Sequence, residues 1–103
     1  VPSLSQLQAL LAKSPDDPFL LYGVAIEHAK LGAVDDACAW FDKCLAADPA
    51  YCYAYFHKAK AQLDSGRLEA GLLTLRAGLA AACKASDFKA QSELQALLDE
   101  VEP

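Results

Sequence analysis

The side chains that could do chemistry here are few: four cysteines (Cys38, Cys44, Cys52, Cys83), two histidines (His28, His57) and the adjacent acids Asp35 and Asp36. A metal centre needs ligands at close spacing, such as Cys-x-x-Cys, and no pair of these cysteines has it. Glu27 and His28 are sequence neighbours, so on a helix their side chains diverge by about 100°. Asp35 and Asp36 read as the negative first turn of a helix. No Gly-x-Ser-x-Gly elbow, His-Glu-x-x-His helix or glycine-rich phosphate loop occurs. With no nucleophile, base and orienting group in view, the expectation is a non-enzyme with no catalytic residue, no metal and no cofactor. The cysteines are expected as reduced thiols packing as small apolar side chains. A thiol or metal-handling role for Cys52 and Cys83 stands last among the alternatives.

The surroundings of these residues point to helices. The chain has 103 residues, the length of one domain, and is 54% apolar, with Ala and Leu dominant over the β-branched residues that strands prefer. Net charge is -5 and the nine Lys and Arg are scattered, whereas nucleic acid and anionic membranes call for clustered cations. The longest apolar run, 19–26, is far short of the ~20 residues that span a bilayer. The N-terminal residues lack the basic and apolar segments of a signal peptide. These features imply a cytoplasmic protein that binds neither nucleic acid nor membrane. The chain holds no Met, so its start residue was removed or it is a fragment, and its polar last helix reads as a natural end.

Six helices follow from periodicity and stop signals. Ser3 to Gln6 fits a capping box, and Leu4, Leu7, Leu10 and Leu11 make one stripe of a helix over 3–13. Asp17-Pro18 starts a second helix that Gly32 ends. A third runs over 34–47 with Ala37, Phe41, Cys44 and Leu45 inward, and Asp48-Pro49 stops it. The fourth, over 50–65, is aromatic at its start and ends at Gly66. The fifth, over 68–84, carries Gly71 and Gly78 on one face, where a neighbouring helix is expected to approach closely. Ser86-Asp87 caps a sixth over 87–101, with Phe88, Leu94, Leu97, Leu98 and Val101 on its dry side.

The chain also matches itself at a shift of 34 residues: Pro15 falls on Pro49, Ala25 on Ala59, Gly32 on Gly66, and Leu45-Ala46-Ala47 on Leu79-Ala80-Ala81. A helix–turn–helix unit of this period resembles the tetratricopeptide repeat. In the first copy Ala37-x3-Phe41 and Pro49 match that pattern, with Leu21, Val24-Ala25 and His28 at its Trp, Leu-Gly and Tyr places. The second copy is degenerate: Tyr55, Lys58-Ala59, Gln62 and Gly71-x3-Leu75 take those places, and Cys83 stands where Pro would, so this helix is expected to run on. The resemblance implies an all-α fold of antiparallel helical hairpins stacked as a short right-handed solenoid. It forms one domain over 1–103, with repeat one about 18–51, repeat two about 52–85, and flanking helices at 3–13 and 87–101.

What the resemblance implies about function is binding. In such proteins the first helix of each hairpin lines a concave groove that receives a segment of another protein. By that resemblance the groove side takes Tyr22, Gly23, Ile26 and Lys30 from one helix, and Tyr53, Phe56, His57, Lys60 and Asp64 from the other. Tyr22, Ile26, Tyr53, Phe56, His57 and Lys60 are the expected contact residues. The 34-residue register sets Tyr22 beside Phe56 and Ile26 beside Lys60. The expected partner is a protein or peptide segment that is partly apolar, with an acidic residue for His57 and Lys60. Some family members clamp a C-terminal carboxylate with Lys and Asn. Tyr22 and Ile26 hold those places here, so that clamp does not carry over. The alternative role is a structural subunit that forms a homodimer through its aromatic surface, without a peptide ligand.

Overall fold

The computed structural model describes residues 2–102. They form six helices, α1 (Leu4–Lys13), α2 (Pro18–Lys30), α3 (Val34–Ala47), α4 (Cys52–Asp64), α5 (Leu68–Lys84) and α6 (Phe88–Val101). No strand occurs among the described residues, so the fold is all-α. None of the helices is long and apolar enough to cross a membrane. Packing divides the chain into two compact units, Val1–Tyr51 and Cys52–Pro103.

Helix starts follow the capping chemistry. The Ser3 hydroxyl accepts from the Gln6 N–H at 3.3 Å while Gln6 Oε1 accepts from the Ser3 N–H at 2.8 Å, so two otherwise orphaned donors are satisfied. The Asp17 carboxylate accepts from the Phe19 N–H at 2.9 Å, ahead of Pro18 at the first turn of α2. Gly32 and Gly66 end α2 and α4 with φ of +76° and +82°. The fourth helix begins at Cys52, later than the expected residue 50. Asp48 forms a turn instead, its carboxylate accepting from the Ala50 N–H at 3.0 Å and its carbonyl from the Tyr51 N–H at 3.1 Å. Helix α5 is 17 residues long against 14 for α3, as expected from a copy that lacks the stopping proline.

In the first unit α2 and α3 form a hairpin with Val24, Ala25, Ala37, Phe41 and Cys44 fully buried between them. Ala25 and Ala37 let the two backbones close, and the Phe41 ring fills the remaining space. Leu7 and Leu11 of α1 are buried, but Leu10 of the same expected stripe is 47% exposed. Leu7 lies over Gly23, where an added Cβ would sit 3.2 Å from its Cδ2. Gly23 is thus a docking point for α1, which differs from its expected place on the groove side.

In the second unit the hairpin is α4 and α5, with α6 laid along it. Its core joins Cys52, Ala59, Leu75, Ala82, Ala90, Leu94, Leu97 and Leu98. Both glycines of α5 mark close approaches: a Cβ on Gly71 would meet Leu63 Cδ2 at 2.6 Å, and one on Gly78 would meet Tyr55 Cβ at 2.7 Å and Leu94 Cδ2 at 3.2 Å. Two expectations for α6 are corrected. Phe88 is 76% exposed rather than on the dry side, because it is the first helical residue, ahead of the turn that meets the core. Asp87 alone caps α6, accepting from the Ala90 N–H at 3.0 Å, whereas Ser86 closes α5 in a left-handed conformation with φ +54°.

Candidate functional site

The six expected contact residues fall on two helices. Tyr22 and Ile26 lie one turn apart on α2, both half-buried. The Tyr22 ring packs on Phe41 with centroids 6.1 Å apart and on Tyr51 at 5.1 Å. Much of Tyr22 therefore belongs to the hairpin's own aromatic cluster. Tyr51 closes that cluster from the segment after α3. Burial, then the nearby Cys44, Asp17 and Asp48, push its phenol pKa up.

On α4, Tyr53, His57 and Lys60 follow at i, i+4 and i+7, which sets them along one face. Tyr53 is 38% exposed and Lys60 is exposed. Phe56 is turned further in and packs against the core of the second unit. Its ring meets His57 edge-on at 5.3 Å and 80°. Burial, followed by the charge of Lys60, holds the His57 imidazole below its ordinary pKa. The face thus offers a tyrosine ring, a largely neutral imidazole and an ammonium, in that order.

The repeat register exposes a feature that residue types alone did not. His28 and Trp40 stack with planes 8° apart and centroids at 6.4 Å, and Lys43 Nζ lies 4.1 Å over the Trp40 ring. Exactly one repeat on, at Gln62 and Thr74, the Thr74 hydroxyl donates to Gln62 Oε1 at 2.6 Å in the core. The same inter-helix slot is held by a ring stack in one hairpin and by a buried hydrogen bond in the other. Trp40 and Thr74 were legible only as a pair 34 apart in register with His28 and Gln62.

None of the four cysteines forms a disulfide. Cys44 is fully buried; its Sγ–H donates to the Pro18 carbonyl at 3.3 Å, and burial with the nearby Asp48 pushes its pKa up to about 11. Cys52 is buried at the start of α4 and Cys83 is exposed near the end of α5. No group of three or more metal-ligating side chains occurs among the described residues.

No family model matches the chain. A tetratricopeptide repeat domain protein from Salinibacter ruber, solved in solution, is 32% identical, with a TM-score of 0.77 over 85% of this chain and 89% of that one. The TPR2B domain of yeast Sti1, solved as a pHsp70 complex, has a TM-score of 0.86 at 23% identity over 95% of this chain and 78% of that one. U-box domain-containing protein 70 of Oryza sativa subsp. japonica is 39% identical over 69 residues, 67% of this chain. The chain spans only 9% of that rice protein's length.

Proposed function

This chain belongs to the tetratricopeptide repeat family, and on that premise we propose that it is a non-enzymatic adaptor that binds a segment of another protein. The observation that carries the reading is the row on α4. Tyr53 presents an exposed ring, His57 a half-buried imidazole and Lys60 an exposed cation, on a helix whose other side is core. Aromatic side chains give large contact area at small entropy cost, so a partly apolar segment would find its anchor at Tyr53. Lys60 then favours an acidic residue in that segment. His57 adds a hydrogen-bonding group more than a charge, because its surroundings favour the neutral form.

Tyr22 and Ile26 are proposed as a second contact row on α2. Phe56 is proposed chiefly as the support under His57, since its ring is engaged with both His57 and the core. The pHsp70 complex of the yeast fold relative supports a protein partner for this type of fold. A cytoplasmic setting is proposed with it, in keeping with four cysteines outside any disulfide.

The test pairs binding with stability. Proteins retained by the immobilised chain are identified by mass spectrometry, and their affinity is measured for Tyr53→Ala, Lys60→Ala and Phe56→Ala. Tyr53→Ala and Lys60→Ala should weaken binding with thermal unfolding nearly unchanged, the Tyr53 loss reaching about 2 kcal/mol if it is an anchor. Phe56→Ala should lower the unfolding temperature as well. Undiminished binding by Tyr53→Ala and Lys60→Ala would remove α4 from the site. Sedimentation of the same variants checks the alternative of a homodimer held by the aromatic surface.

A further inference from the structure

Helix α5 buries Gly71, Thr74, Leu75, Gly78 and Ala82 along one side. Its opposite side mixes charged residues with an apolar stretch, where a helix that meets only water is expected to be polar throughout. Glu69, Leu73, Arg76, Ala77, Ala80 and Lys84 are all exposed there, and at 100° per residue they fall within a stripe about 100° wide. Leu73 is 67% exposed. The stripe has an acid at its N-terminal end and a base at its C-terminal end; between them lie Leu73, the small Ala77 and Ala80, and Arg76, which is ion-paired with Glu102.

We propose that this face pairs with the same face of a second copy of the chain, the two α5 helices antiparallel about a two-fold axis between Arg76 and Ala77. Residues equally distant from that axis then lie opposite one another. Leu73 meets the second copy's Ala80, a large side chain against a small one. Glu69 meets the second copy's Lys84, so each dimer gains two ion pairs of opposite charge. Ala77 and Ala80 allow the close axial approach, about 8 Å, that side chains of this size permit. Arg76 would otherwise confront its own copy near the axis, but it is ion-paired with Glu102, which neutralises it. Such a contact is isologous and closes on itself, so it stops at a dimer. One helix face falls short of the ~1,200–2,000 Å² that stable complexes bury, so the dimer is weak and concentration-dependent. The inference is independent of the α2 and α4 rows, none of whose residues lie on this stripe.

Sedimentation equilibrium of the full chain, from about 10 μM to about 1 mM, tests the pairing over the range where a small interface associates. The wild type should dimerise across that range. Ala80→Glu should weaken the dimer at least tenfold. Glu69→Lys and Lys84→Glu, each alone, should do the same by setting like charges opposite one another. An equimolar mixture of those two variants should dimerise as tightly as the wild type, which it can do only if both are folded. Glu102→Gln should weaken the dimer several-fold by exposing the Arg76 charge near the axis. A wild type that stays monomeric throughout overturns the proposal. So does a dimer that tolerates Ala80→Glu, which would place the contact on another face, or a mixture of charge variants that fails to recover.

Discussion

Three helix ends in this chain close with the same pair of backbone hydrogen bonds, and one of them lacks glycine. After α2, the Ala33 N–H reaches the His28 carbonyl at 3.0 Å and the Gly32 N–H reaches Ala29 at 3.0 Å; after α4 and α5 the equivalents run from Arg67 and Gly66, and from Asp87 and Ser86. Ser86 holds the left-handed position with φ +54°, where a Cβ costs about 1–2 kcal/mol. Ser86→Gly should therefore stabilise the protein by about 0.5–1 kcal/mol, the gain being trimmed by the freer unfolded chain, while Gly66→Ala should cost about 1 kcal/mol. Chemical unfolding of both variants measures this. The thiols separate on the same local grounds. Cys83 is exposed and should alkylate first, whereas Cys44, buried with a pKa raised to about 11, should react only as the protein unfolds. Time-resolved mass spectrometry with iodoacetamide reads the order. His57 has a definite sign. Its folded pKa is lowered, so folding favours the neutral ring, and the unfolded chain takes up the proton first as pH falls below about 6.5. Stability should decline from pH 7.5 to 5.5 more steeply in the wild type than in His57→Gln, as followed by thermal unfolding.

At the scale of elements, the two end helices carry one motif, Ser-x-Leu-Gln-Ala-Leu-Leu, at 5–11 and 92–98. Each sets its first leucine over a glycine of the neighbouring helix: Leu7 lies 3.2 Å from a Cβ built on Gly23, and Leu94 3.2 Å from one built on Gly78. Their surroundings then differ. Leu97 is 9% exposed, while its counterpart Leu10 is 47% exposed. Gly78→Ala would push a methyl into Tyr55 Cβ, which cannot swing aside, and should cost about 1–3 kcal/mol despite a better helix propensity. Gly71→Ala meets Leu63 at Cδ2 and Cγ, atoms that a rotation about χ1 can move, and should cost less. Calorimetric comparison of the two variants gives the ranking.

For the molecule as a whole, stability is expected to be uneven. Helix α1 anchors itself through Leu7 and Leu11, whereas α6 buries Ala90, Leu94, Leu97 and Leu98. Burying a leucine contributes about 1.5–3 kcal/mol, so α1 should open locally well before the core of either hairpin. In native-state hydrogen exchange the α1 amides should exchange at least tenfold faster than those of α6, a ratio worth about 1.4 kcal/mol. Equal protection would mean that α1 is held by more than those two leucines.

The helix ends, the repeat and the family were legible in the residues because their causes are local. A capping serine, an aspartate before proline, or a glycine at a left-handed cap acts on neighbours within a turn, and the 34-residue register needs only the sequence to be seen. What tertiary structure alone decided was which members of each apolar set meet another helix. Periodicity places Leu10 with Leu7 and Leu11, and Phe88 with Leu94, but it carries no account of where the neighbouring helix stops. The same limit applies to the contact rows. Spacing aligned Tyr22 with Ile26 and Tyr53 with His57, but the rings of Tyr51 and Phe41 that engage Tyr22 come from a distant turn and a facing helix. Exposure is a property of what lies opposite, and a single helix does not encode it.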